Sequence, residues 1–164
     1  LVATGESPET FGHMFDTISV CLSKGLGCPV GSILVGDEAI MEDAIRVRKV
    51  LGGGMRQIGI LAAAGMYALD HHLERLAEDH QKASDIASVL QSCAYVKNIV
   101  PVQTNIVIFE VNADVDANQL VNQLAENNIR ISGMGEGKLR IVTHLDYTDD
   151  KHETVLRTLK TIHS

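Results

Sequence analysis

The chain is 164 residues long, 45% apolar and carries a net charge of −7, enough material for one or two packed units. That acidity, with no extended basic face outside residues 46–56, excludes a nucleic-acid footprint, and no apolar run reaches the length that spans a bilayer. No signal peptide is expected, and three cysteines (Cys21, Cys28 and Cys93) without a CxxC pair lead us to expect a reducing, cytoplasmic compartment rather than a disulfide framework.

Leu1–Gly5 reads as the end of a helix stopped by Gly5, and Glu6–Met14 as a short polar segment. Asp16–Leu22 and Val30–Val35 are rich in β-branched residues and predict two strands. Between them runs Ser23-Lys24-Gly25-Leu26-Gly27-Cys28-Pro29-Val30-Gly31-Ser32. Glycines at 25, 27 and 31 let the chain turn tightly and take up positive φ. Flanking strands would hold the lysine rigidly at a sheet edge, which is how an amine is presented as a nucleophile. The plainer alternative is a strand-turn-strand with an exposed lysine. Cys28 is expected to be a small, buried apolar filler.

Asp37–Leu51 predicts a helix, acidic at its start and basic at its end, as the macrodipole prefers. It runs into Ile45-Arg46-Val47-Arg48-Lys49-Val50-Leu51-Gly52-Gly53-Gly54-Met55-Arg56-Gln57, four cations around three glycines. Consecutive glycines before a helix leave backbone N–H groups free to point at an anion, with Lys49 and Arg56 flanking the loop. The alternative is a helix end, a loop and a helix start with solvated cations. Arg46 and Arg48 read as surface charges, Glu42 partnering Arg46. Gln57–Leu69 is a small-residue helix, and Asp70–Ala94 continues as an amphipathic helix. Leu73, Leu76, Ala77, Ala83, Ala87 and Leu90 form its stripe, with Ile86 and Val89 off it. His71-His72 is expected on a solvated face.

The pattern then shortens. Val96–Val100 and Asn105–Val111 predict strands, Val115–Asn127 a helix, Ile129–Ser132 and Lys138–Val142 strands, and Asp149–His163 a last helix capped near Thr148. Residues 95–164 thus form a small sheet with helices on one face. The expected organisation is a first region 1–69, a connecting helix 70–94 and a small C-terminal domain 95–164. Leu139 and Ile141 place Arg140 on the strand face opposite theirs.

The stretch SKGLGCPVGSILVG…RVRKVLGGGMRQIGILAAAGMYAL, together with KLRIVTHLD, resembles the low-specificity L-threonine aldolases. These are pyridoxal-phosphate enzymes of the aspartate-aminotransferase fold type. The resemblance covers essentially the whole chain and implies an α/β fold, the C-terminal part of a transferase-like fold of type I. It implies aldol cleavage of L-threonine or L-allo-threonine to glycine and acetaldehyde, with pyridoxal 5'-phosphate as cofactor. Lys24 matches the lysine that binds the cofactor aldehyde, and Arg140 the arginine that binds the substrate carboxylate, which a planar guanidinium suits. Lys49 and Arg56 match positions near the cofactor phosphate or the subunit interface. The resemblance also implies a homodimer or homotetramer. Roughly half of such an enzyme would precede this sequence and carry the ring-stacking histidine, the aspartate paired with the pyridine nitrogen and a second substrate arginine. The 164 residues alone are therefore expected to turn over negligibly.

Other readings stay open. A β-eliminating lyase or another enzyme of this fold type would share these residues. A non-catalytic α/β interaction module would use the glycine loops as packing devices. Asn105 resembles a cleft-facing position, or caps its strand. His144 and Asp146 suggest a general base only weakly, and no H-E-x-x-H or cysteine–histidine metal spacing occurs.

Overall fold

The structure is a computed structural model that describes residues 1–162. The chain divides into two compact units, Leu1–Leu76 and Ala77–Ser164.

In the first unit a short helix, α1 (Pro8–Gly12), is capped by Ser7, whose hydroxyl accepts the Thr10 N–H at 3.1 Å. Strands β1 (Thr17–Cys21) and β2 (Ser32–Gly36) pair antiparallel, from Thr17 opposite Gly36 to Cys21 opposite Ser32. β2 starts later than the β-branched run predicts. Gly31 sits at φ +119° and its carbonyl accepts the Leu22 N–H, so Val30 and Gly31 belong to the turn. Helix α2 (Glu38–Val50) begins after Asp37 and ends at Leu51, with Glu38 in its first turn and Arg48 and Lys49 in its last, as the sequence indicates. Helix α3 (Gly59–His71) buries only Gly65 and Ala68. The unit's small core is Leu22, Leu26, Cys28 and Ala68, with Leu76 packed against it.

The single helix expected across 70–94 is two elements. α3 ends at His71, residues 72–75 turn, and α4 (Leu76–Leu90) starts afresh. The new start resets the helical phase. The buried stripe is Asp79, Ala83, Ile86, Ala87 and Leu90, so Ile86 lies at its centre while Leu73 and Ala77 are exposed.

The second unit builds an antiparallel sheet in the order β3 (Val96–Ile99), β4 (Ile106–Val111), β6 (Lys138–Val142), β5 (Ser132–Gly135). Alternation along β4 and β6 sends Val107, Phe109, Val111, Leu139 and Ile141 to one buried face. There they join Ile86 and Leu90 of α4, Leu120 and Leu124 of α5 (Ala117–Glu126), and Val155 and Leu159 of α6 (Asp149–Thr161) in one core. The expected order of elements and the single helical layer are present. The predicted β5 lay three residues too early. Asn128 takes φ +60° and Ile129 donates its N–H to the Leu124 carbonyl, so Ile129 closes the end of α5 and is buried there. Thr148 begins α6 without a side-chain capping bond, and His163 lies outside the described residues. Among the described residues no helix is long and apolar enough to cross a membrane.

Candidate functional site

Lys24 stands on a turn whose two shoulders are buried. Leu22 and Leu26 are 6% and 8% exposed, while Lys24 between them is exposed. Its carbonyl accepts the Gly27 N–H at 2.9 Å, and the Leu22 carbonyl accepts the Cys28 N–H at 3.1 Å. Gly27 takes φ +73°, which a side chain would strain. The segment is fixed to α3 at two places. The Cys28 thiol donates to the Ala64 carbonyl at 3.6 Å, and the His72 ring nitrogen Nδ1 lies 2.6 Å from the Leu26 carbonyl. Cys28 is buried, as its chemistry suggested. The Lys24 amine makes no hydrogen bond or ion pair among the described residues. It is a free primary amine on a rigid support.

The glycine run behaves differently from an anion nest. Gly52 (φ +84°) donates its N–H to Lys49 and Gly53 donates to Arg48, at 3.1 and 2.8 Å. This is the paired bonding of a Schellman helix end, so both donors are spent on the last carbonyls of α2. α3 begins only at Gly59, after Gln57 at φ +55°. Gly52 and Gly53 therefore offer an anion no backbone donor, and the side chains of Lys49 and Arg56 remain to attract one. Lys49 folds back so that a Cβ built on Gly54 would lie 3.7 Å from its Nζ. Lys49 and Arg56 are exposed and unpaired among the described residues. Arg46 pairs with Asp43 at 3.7 Å rather than with Glu42.

Arg140 lies at the middle of β6, opposite Ile108 of β4 and Ser132 of β5. Leu139 and Ile141 are buried and Arg140 exposed, so it occupies the sheet face away from the helices, as the alternation predicts. Its guanidinium has no partner among the described residues.

The other candidates are held by local structure. The Asn105 side-chain amide donates to the Thr143 carbonyl at 2.8 Å and extends the β4–β6 pairing, the strand-cap reading. His144 and Asp146 are exposed and share one tight turn, with Nδ1 accepting the Asp146 N–H at 3.3 Å. His71 is exposed, but His72 is not on a solvated face. Nothing in its spacing announced this, because the bond spans 46 residues.

Each unit carries an open groove of about 530 Å³ among the described residues. One is bounded by Ser19, Ile33, Met41, Ile45 and Arg48, the other by Ile129, Ile141, Val155, Arg130, His144 and Lys151 among others. Lys24, Lys49, Arg56 and Arg140 line neither.

An exposed amine on a clamped turn, with one unpaired cation in the last turn of α2 (Lys49) and another on the α2–α3 loop (Arg56), offers a nucleophile for an aldehyde and donors for a phosphate. These residues fit pyridoxal phosphate. The chain is 42% identical to the low-specificity L-threonine aldolase 1 of Arabidopsis thaliana over 94% of its own length and 44% of the relative's. It is 40% identical to the low specificity L-threonine aldolase of Escherichia coli K12, over 92% and 44%. The chain thus spans less than half the length of the curated relatives it matches. Among solved structures it superposes with a TM-score of 0.75 on a Listeria monocytogenes protein assigned as an L-allo-threonine aldolase, at 20% identity over 97% of this chain and 48% of that one. A serine palmitoyltransferase of Sphingomonas wittichii gives 0.70 at 18% identity, over 89% and 39%. These likenesses show the fold, the mixed α/β fold of the pyridoxal-phosphate-dependent enzymes of type I. Residues 1–114, which include the lysine turn and the glycine loop, match the beta-eliminating lyase family, and the chain is a member of it.

Proposed function

We propose that this chain supplies the cofactor lysine and the carboxylate-binding arginine of a pyridoxal-phosphate-dependent aldolase that cleaves L-threonine and L-allo-threonine to glycine and acetaldehyde. The observation that carries the reading is the unpaired Lys24 amine on a turn anchored by Leu22, Leu26 and Cys28. The names of the curated relatives supply the substrate class.

Lys24 is the residue that would hold the cofactor aldehyde, through Nζ. Arg140 would bind the substrate carboxylate in a fork and so fix the orientation of the bonds at Cα. When bound, pyridoxal phosphate supplies the electron sink for the pair left at Cα. Lys49 and Arg56 hold its phosphate, in the same or a neighbouring subunit of a homo-oligomer. The first unit leaves Val50 and Leu51 81% exposed and Ile60 75% exposed, surface that the further length of a full aldolase would cover. The ring-stacking and ring-nitrogen partners belong to that further length.

The test is spectroscopic. Full-length protein incubated with pyridoxal phosphate develops a visible band that borohydride removes, leaving the cofactor fixed on Lys24, and L-threonine releases acetaldehyde in a coupled assay. Lys24→Ala loses both. No Lys24-dependent band and no acetaldehyde would overturn the reading. Ammonia and a 2-oxo acid in place of acetaldehyde would select the β-eliminating chemistry in the family's name.

A further inference from the structure

We infer that His72 is a positioning residue for Lys24: its Nδ1–H donates to the Leu26 carbonyl and holds the turn that presents the amine. The inference rests on the proposed role of Lys24.

His72 is the C-cap of α3, and its backbone N–H closes the last helical bond to Ala68 at 2.8 Å. Ala68 is 1% exposed and belongs to the core that buries Leu22, Leu26 and Cys28. The ring is half-buried and meets Tyr67 edge-on, with centroids 5.5 Å apart and planes at 84°. A carbonyl oxygen only accepts, so the 2.6 Å contact fixes the proton on Nδ1. Leu26 lies inside the turn closed by Gly27 N–H to the Lys24 carbonyl. Gly25 and Gly27 flank Leu26 and give the turn little stiffness of its own. The other side-chain tie, from Cys28 to Ala64, lies beyond the turn and uses a weak thiol donor. His72 is thus the side chain that grips the turn itself, and through it the direction in which Lys24 leaves the backbone. Such support raises the effective concentration of a nucleophile without touching the reacting atoms.

The experiment uses full-length apoprotein and reads capture of pyridoxal phosphate rather than turnover. The measured quantity is the second-order growth rate of the visible band, read well below the unfolding midpoint; borohydride then removes the band and fixes the captured cofactor, which is located on the Lys24 peptide. His72→Phe keeps a ring against Tyr67 and loses the donor. It is expected to slow capture about five-fold, the factor carried by one neutral hydrogen bond. His72→Asn places an amide nitrogen at the same bond count as Nδ1 and is expected to restore the wild-type rate. If His72→Phe does not fold, His72→Gln, with its amide one bond further out, is expected to slow capture in the same direction. Wild-type capture by His72→Phe or by His72→Gln overturns the inference, and so does failure of His72→Asn to restore it. The two readings separate through Lys24→Ala. If that variant captures cofactor unchanged, the role of Lys24 is wrong; if it captures none while the His72 variants capture normally, only the clamp is wrong.

Discussion

The Cys28 thiol donates to the carbonyl of Ala64, one residue before the buried Gly65, so the lysine turn sits directly on the backbone of α3. A Cβ built on Gly65 would lie 3.4 Å from Leu22 Cδ1, ordinary contact, but anything larger must displace Leu22 and the turn with it. Gly65→Ala is expected to be tolerated, whereas Gly65→Leu overpacks the seat and costs about 1–3 kcal/mol. Urea unfolding of the two variants checks this, and equal midpoints would refute the close seat.

The end of α2 gives a second, separable expectation. Gly52 is the left-handed residue of the Schellman end and has nothing near its Cβ position, so substitution there meets only backbone strain. Gly52→Ala is expected to cost about 1 kcal/mol and Gly52→Asn less, because asparagine tolerates that region. Gly53 differs: its Cβ would come within 2.6 Å of Arg48 Cγ and 3.0 Å of the Arg48 carbonyl. Gly53→Ala is expected to fray the helix end and to loosen Lys49. Unfolding midpoints of the three variants should rank Asn, Ala at 52, then Ala at 53.

Arg140 lies on an open sheet face with no protein partner among the described residues, so its replacement tests binding with little penalty to the fold. Arg140→Lys keeps the charge but loses the fork. It is expected to lower kcat/KM for L-threonine about ten-fold or more, while unfolding free energy shifts by less than about 0.5 kcal/mol. Steady-state kinetics and unfolding on the same preparation check both halves. Unchanged kcat/KM would remove Arg140 from the site.

What the sequence could and could not disclose follows from the range of the interactions involved. Arg140 between Leu139 and Ile141 is a period-2 pattern, and the register opposite Ile108 and Ser132 keeps it. Glu38 at the start of α2 and Arg48 and Lys49 at its end are equally local, and its limits were legible to within a residue. The glycine run stayed open between two readings because three glycines serve either an anion or a helix end; Gly52 and Gly53 serve the helix end. A basic last turn followed by Gly52 is itself a C-terminal signal and could have decided it. The break at 72–75 was hidden because His71, His72, Leu73 and Glu74 all fit a helix; the tie from His72 to Leu26 that accompanies the break lies 46 residues away. Ile129 looked like a strand residue because β-branching says nothing about Asn128 turning left-handed before it.

Lys82 joins α4 to the start of α6, with Nζ 2.7 Å from Asp149 Oδ1 and 2.9 Å from the Tyr147 carbonyl. The lysine side chain is 14% exposed and the aspartate 90%. The hydrogen bond from Lys82, with its charge, holds the Asp149 carboxyl below its ordinary value of 3.8. A depressed carboxylate stabilises the fold fully above its unfolded value and loses that contribution as pH falls through its lower folded value. In Lys82→Met the stem still packs, but the carboxylate loses its main partner and keeps only the influence of His152, so its protonation favours the unfolded chain less. The stability gap between wild type and Lys82→Met is therefore expected to be constant near neutrality and to narrow below about pH 4, as Asp149 protonates. What persists in acid is the Tyr147 carbonyl bond, which does not titrate. Urea unfolding of both proteins from about pH 6 down to about pH 2 measures the gap. A gap that stays constant to the lowest pH would assign the stabilisation to Tyr147 alone.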